Sequence, residues 1–294
     1  MRGFKMNVAE IITNQILEII ETEKILPWRA KWLRHQNIDG KEYGGIVNRV
    51  ILNYACLKNS YKYPIWLTFN KASQMGLKVK KGAKSEMITY YAVVEKKKDD
   101  EENDKKETFH MLKYYRVFNI EEIENYENTP FIAKYNKIKE EDTAGINDLN
   151  GYLSSYLCRE KIRLNIGGAR AFYAPMDDEI TMPTKEIFES QSEYYHTLSH
   201  EAIHSTGAEK RLNRFQTGEI FGIDNQKYSF EELVAEIGAS ALASEFNISQ
   251  DLKNNASYID GWASYLRENK KTAIFSASKL ADKAINFIKG ENEN

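Results

Sequence analysis

The stretch Tyr194-Tyr195-His196-Thr197-Leu198-Ser199-His200-Glu201-Ala202-Ile203-His204-Ser205-Thr206-Gly207 decides how this chain is read. It contains His-Glu-x-x-His. Four residues make slightly more than one helical turn, so on a helix His200 and His204 project from one face. Leu198, Ala202 and Ile203 supply an apolar stripe, and Gly207 is a stop signal. Two imidazoles on one face can hold one divalent ion. Glu201, beside them, is placed to take a proton from a water that the ion activates. The bland alternative is a surface helix with two ordinary histidines. Against it, three of the chain's five histidines (His196, His200 and His204) lie in this one segment.

A catalytic zinc usually takes three protein ligands, so the third must come from elsewhere. Residues 230–241, Phe-Glu-Glu-Leu-Val-Ala-Glu-Ile-Gly-Ala-Ser-Ala, read as a second, largely apolar helix. A carboxylate on its packed side is costly unless it is paired or bound to metal. Glu232 and Glu236 are one turn apart and share a face. Glu236, deeper in the apolar run, is the expected third ligand. Glu232 is the alternative ligand, or the carboxylate that orients a histidine. Glu231 reads as a solvated helix carboxylate.

The chain has 294 residues, enough for one large or two ordinary domains, and its net charge is -2. No apolar run approaches membrane-spanning length, and the start lacks a long apolar signal core, so a cytoplasmic protein with no membrane partner is expected. Cys56 and Cys158 lie far apart and read as reduced core thiols rather than as a disulfide or thiolate site. The small net charge hides an asymmetry. Residues 1–94 hold 15 lysines and arginines against 7 acidic residues, so the remainder carries -10. A basic front and an acidic back suggest different partners.

Apolar spacing predicts a helix over residues 8–20. Residues 28–34 follow, with Trp28, Arg29, Lys31, Trp32 and Arg34. Rings alternating with cations suit single-stranded nucleic acid, where rings stack on bases and cations meet the backbone; the alternative is that both tryptophans pack the domain. Residues 46–52 lead into a short helix ending near Leu57. Thr68 is an N-cap for a helix over 69–75, stopped by Gly76. Lys78, Lys80, Lys81 and Lys84, around the turn at Gly82, are a second candidate for tracking a phosphate backbone, against a merely solvated hairpin. Residues 87–94 and 109–118 read as strands joined by a charged connection over 95–107.

Residues 121–145 read as a charged crossover between domains, with the boundary near 130–145. Helix is expected over 146–158, strands over 162–166 and 171–174, and an edge strand over 178–183, because proline cannot serve an inner ladder position. Arg211 and Arg214 either line the cleft or brace the acidic helices. Helices over 256–266 and 274–287 close the chain. A small sheet ahead of a metal-bearing helix is the order that zinc peptidase-like domains use.

Taken together, these motifs resemble the ArdC-type antirestriction proteins of plasmids and mobile elements. In the front half the resemblance rests on Pro27-Trp28, Tyr43-x-Gly45, Trp66-Leu-Thr-Phe69 and Met75-Gly-x-x-Val79-x-Lys-Gly82. In the back half it rests on Gly168-x-Arg-Ala-Phe-Tyr-x-Pro175, Ile180-x-Met-Pro183, the His200–His204 segment, Arg211-Leu-x-Arg214 and Glu231-Glu-Leu-Val-Ala-Glu236. The segment Gly45-Ile46-Val47-Asn48 and the charged insert over 95–107 depart from the family pattern.

The resemblance implies an α+β protein of two domains: a mixed α/β single-stranded-DNA-binding domain over 1–135 and a zincin-like metallopeptidase domain over 136–294. It implies protection of incoming DNA from host restriction, with a protein substrate or restriction enzyme as a further partner. His200, His204 and Glu236 would hold Zn2+, with Mn2+ or Co2+ as alternatives, and Glu201 would be the general base. Tyr173 or Tyr195 could support an oxyanion. The rival reading is a non-catalytic DNA-binding or decoy protein with a structural metal.

Overall fold

The apolar spacing near the start produces α1 (Val8–Glu23), which buries Ile12, Ile16 and Ile20. The computed structural model describes residues 8–29, 33–96, 107–141, 145–215, 225–246, 248, 256–268 and 272–291. Lys31, Trp32 and most of the charged insert over 95–107 lie outside the described residues. Arg29 closes a short turn after Pro27, and its side chain also lies outside them.

The front half is a four-stranded sheet in the order β1-β2-β4-β3. β1 (Gln36–Asn37) runs parallel to β2 (Ile65–Leu67), and β2 is antiparallel to β4 (Glu107–Asn119). β3 (Glu86–Lys96) pairs antiparallel with β4, from Glu86 opposite Val117 to Lys96 opposite Glu107. α2 (Ile46–Asn59) is one continuous helix, where the sequence suggested an irregular lead-in. Its buried positions, Ile46, Val47, Val50 and Ile51, fall at helical spacing, which accounts for the unbroken run. α3 (Phe69–Gln74) starts as expected: the Thr68 hydroxyl accepts a hydrogen bond from the Lys71 N–H at 3.1 Å.

The crossover is more than a linker. It holds α4 (Pro130–Glu141), whose Ile132 is buried on the front sheet beside Ile38, Ile65 and Ile120. Its charged composition hid that narrow apolar stripe.

The back half opens with α5 (Ile146–Glu160) and a small sheet of β5 (Arg163–Ile166), β6 (Phe172–Ala174) and β7 (Glu179–Met182), in the order β5-β7-β6. β7 is therefore the central strand, not the expected edge. Pro183 follows the last paired residue, Met182, so its missing N–H removes no ladder bond. Then come α6 (Gln191–Ser205), α7 (Asn225–Glu245), α8 (Ala256–Glu268) and α9 (Ala273–Lys289). Cys56 is buried, which pushes its thiol up to about 12, but Cys158 is exposed, contrary to expectation.

The two halves share one core. Ile12, Ile16 and Trp28 from the front belong to the same apolar cluster as Leu198, Leu233, Trp262 and Ile285 from the back. Trp28 is fully buried and meets Trp262 edge to face, with ring centroids 6.4 Å apart. A base has no ring face to stack on there, so Trp28 is a packing residue and leaves the set of candidate DNA contacts. Among the described residues, no helix is long and apolar enough to cross a membrane.

Candidate metal centre

α6 begins at Ser190, whose hydroxyl accepts from the Glu193 N–H, while the Glu193 carboxylate accepts from the Glu189 N–H. The helix then runs into the core, burying Leu198, Ala202 and Ile203. Its small polar residues turn inward without penalty. The Ser199 hydroxyl donates to the Tyr195 carbonyl and that of Ser205 to the Ala202 carbonyl, each at 2.7 Å. On the remaining face His200 and His204 stand side by side, their Nε2 atoms 3.1 Å apart.

α7 crosses this face closely because Gly238 has no side chain. A Cβ there would lie 3.0 Å from the Ile203 side chain. The approach brings Glu232 in: its carboxylate oxygens lie 3.4 Å from His200 Nε2 and 3.3 Å from His204 Nε2. Ligand atoms about 2.0–2.1 Å from an ion at tetrahedral corners stand roughly 3.3 Å apart. The three donors therefore fit one divalent ion. All three are half-buried.

Glu236, the expected third ligand, stands outside this cluster. It is 2% exposed and its carboxylate faces the other ring nitrogen of His200, Nδ1, at 3.9 Å. Helix geometry explains the exchange. The two glutamates share a face, and α7 crosses α6 so that the earlier one meets the Nε2 atoms and the later one passes behind the ring.

Glu231 is corrected as well. It is buried, and its carboxylate lies 3.3 Å from His204 Nδ1 while accepting two hydrogen bonds from the Arg214 guanidinium, at 2.7 and 3.1 Å. Arg214 also donates to the Ile203 carbonyl and the Thr206 hydroxyl, both at 2.7 Å. It braces the end of α6 rather than lining a cleft. Glu231, within hydrogen-bond distance of Nδ1, holds the His204 ring with Nε2 turned toward the cluster, and Glu236 faces His200 Nδ1 from farther off.

A signal for Glu231 was present in the sequence. Leu233, Val234, Ala235, Ile237, Ala239 and Ala241 are apolar on every side of α7 and all are buried, so a helix of that kind offers no solvated face.

The electrostatics follow. Burial opposes a charged His204, but hydrogen bonds to Glu231 and Glu232 and their charges outweigh it, raising the imidazole to about 10. For the two glutamates burial is likewise outweighed, by the histidines and, at Glu231, by Arg214, and both carboxyls are held below their usual range.

Glu201 follows His200 on the same turn and is 7% exposed. The two candidate tyrosines have their hydroxyls engaged elsewhere. Tyr173 donates to Asp178 at 2.8 Å, and Asp178 is itself clamped by Arg211. Tyr195 accepts from Lys185 at 3.2 Å. His196 reaches Ser240 of α7 rather than the metal cluster. Lys78, Lys80, Lys81 and Lys84 are exposed around their turn, and Arg34 is exposed nearer the core.

Histidines from one helix met by a carboxylate from the next are how zincins hold their ion. Sequence comparison places the match on the same segment. Residues 153–280 match the family described as zincin-like metallopeptidase, and residues 6–118 match the N-terminal domain of the anti-restriction factor ArdC. The chain belongs to the ArdC antirestriction family.

Among solved structures, it is similar to the antirestriction ArdC protein from the R388 plasmid. The metal-free form has 29% identity and a TM-score of 0.74, and the Mn(II)-bound form 28% and 0.75; both comparisons cover 97% of this chain and 98% of the other. Among related sequences, it is 25% identical over 303 residues to the uncharacterized protein y4eC of Sinorhizobium fredii, covering 98% of this chain and 93% of that one. It is also 27% identical over 297 residues to a DNA primase TraC of Escherichia coli, covering 95% of this chain but only 20% of the primase.

Proposed function

We propose that this protein protects DNA entering a cell from restriction, binding single-stranded DNA through its front half and cutting a protein partner at the His200–His204–Glu232 site. The observation that carries the enzymatic part is the convergence of three half-buried donor groups beside Glu201. Zn2+ suits two imidazoles and a carboxylate. Mn2+ or Co2+ are the alternatives, and a Mn(II)-bound form of the R388 relative supports the first of these. When bound, the ion supplies Lewis acidity that polarises a peptide carbonyl and acidifies water. His200, His204 and Glu232 hold it, while Glu231 and Glu236 keep the imidazoles oriented. Glu201 accepts the proton of the attacking water on its carboxylate and passes it to the departing amine.

Glu201→Gln keeps nearly the same shape and removes the base. The expected result is full metal loading with loss of both proteolysis and protection from restriction. Protection that survives unchanged would mean that the metal serves the fold and that the protein acts as a binder or decoy.

A further inference from the structure

β3 is the outer strand of the front sheet, and between its free edge and α9 lies a cleft of about 780 Å3. One contact among the described residues closes part of that edge. The Thr89 N–H donates to the Asn48 side chain and the Thr89 carbonyl accepts from it, each at 2.8 Å. Backbone groups alternate sides along a strand, so the N–H and carbonyl of Tyr91 point outward on the same edge.

Tyr90, Tyr91 and Tyr115 line the cleft and are 45%, 57% and 36% exposed, unusually open for large rings. On the opposite wall Ser278 of α9 is 3% exposed, and its hydroxyl has no hydrogen-bond partner among the described residues. A buried polar group left unpaired calls for an explanation, and a ligand is one. Between the walls, Gly44 presents bare backbone: a Cβ there would meet nothing within 4 Å, so neither packing nor a positive φ demands glycine. Lys41 and Lys279 are exposed at the rim.

From this juxtaposition we infer that the cleft holds an unstacked base of single-stranded DNA. The inference rests on the DNA-binding part of the proposed function and gives it a location that neither basic stretch of the sequence indicated. The tyrosine rings supply stacking faces that any base can use. Ser278 and the Tyr91 backbone meet the polar edge of the base. Glu42 and Asp282 also line the cleft, which disfavours a phosphate inside it. The phosphates are left to the two lysines at the rim. Because one wall is the front sheet and the other the last helix, bound DNA would bridge both halves of the chain.

The test uses the full chain, a fluorescein-labelled oligothymidylate at low salt, and Gly44→Val and Tyr90→Ala. Each variant is expected to weaken binding about tenfold or more. Melting temperature and metal affinity are expected to stay as in the parent, and Tyr90→Trp to restore binding. A second measurement needs no variant: an oligonucleotide carrying 5-iodouracil is photo-crosslinked to the parent protein and the attached residues are mapped. Attachment at Tyr90, Tyr91 or Tyr115 supports the cleft. Attachment confined to the Lys78–Lys84 turn, or variants within twofold of a parent that does bind, overturns the cleft and leaves DNA binding standing. A parent that binds no single-stranded DNA overturns both.

Discussion

Two imidazoles set into the protein, one in each half of the molecule, have opposite electrostatic fates. In the front half His35 is enclosed among Trp66 and its neighbours, and its Nδ1 accepts a hydrogen bond from the Trp66 indole at 3.1 Å. Burial, helped by the charge of Arg49, pushes it down to about 3, and the neighbouring Asn53 side chain offsets this only in part. In the back half His204 is less deeply set, two carboxylates face it, and it rises to about 10. Desolvation acts on both rings in the same direction, so the sign is decided by what the neighbouring helix supplies. The front core is built to keep an imidazole neutral. The back core gathers negative charge around one, which is what a cation site requires.

The largest expected effect concerns which carboxylate does the gathering. Glu232→Ala and His204→Ala should each weaken zinc binding by more than about a hundredfold, measured by competition with a chromophoric chelator. Glu236→Gln, altering a group behind the ring, should cost about tenfold. The reverse order would restore Glu236 as the ligand and mean that α7 sits differently on α6.

Glu231→Gln should cost about 10–100-fold in metal affinity, because it weakens the hold on His204 Nδ1 and leaves Arg214 without its charge partner. An unchanged affinity would make the Arg214–Glu231 pair a brace for the end of α6 alone.

The histidine comparison predicts opposite pH arms for the metal-free protein. His204 binds its proton more tightly in the fold than in the unfolded chain. Its stabilisation is full below about pH 6.5 and fades as pH rises toward 10. His35 binds its proton less tightly in the fold. Its stabilisation is present above about pH 6.5 and fades as pH falls toward 3, at up to about 1.4 kcal/mol per pH unit. Melting curves across that range should fall on both sides, and His204→Gln should flatten only the alkaline arm. Metal loading should release protons and tighten as pH rises, at most about tenfold per unit for the one proton. A single-sided profile would mean that the two imidazoles share one environment after all.

The smallest effects belong to the front surface. Lys78→Ala, Lys81→Ala and Lys84→Ala should each change stability by less than about 0.5 kcal/mol. Each that meets a phosphate should lower the salt dependence of DNA binding by about 1. Lys80 is set apart: its ammonium donates to the Glu121 carbonyl at 2.7 Å and lies over the Tyr126 ring, so its loss should show in stability as well.

Much of the molecule was legible along the chain. α1, α3, β3, β4, α6 and α9 stand where periodicity and turn residues put them, because each is specified by neighbours within a few positions. His200 and His204 share a face for the same reason: one helical turn guarantees it. The sequence could also say that an ion site needs a third donor from a second apolar helix.

It could not say which glutamate that donor is. The answer depends on how α7 crosses α6, and the crossing is set by the contact of Gly238 with Ile203, residues 35 positions apart. Glu231 turned inward, β7 in the middle of its sheet and Trp28 packed on Trp262 belong to the same class of fact. Each depends on the distance and angle between elements remote in sequence. No local pattern encodes these, and only the burial of one common core decides them.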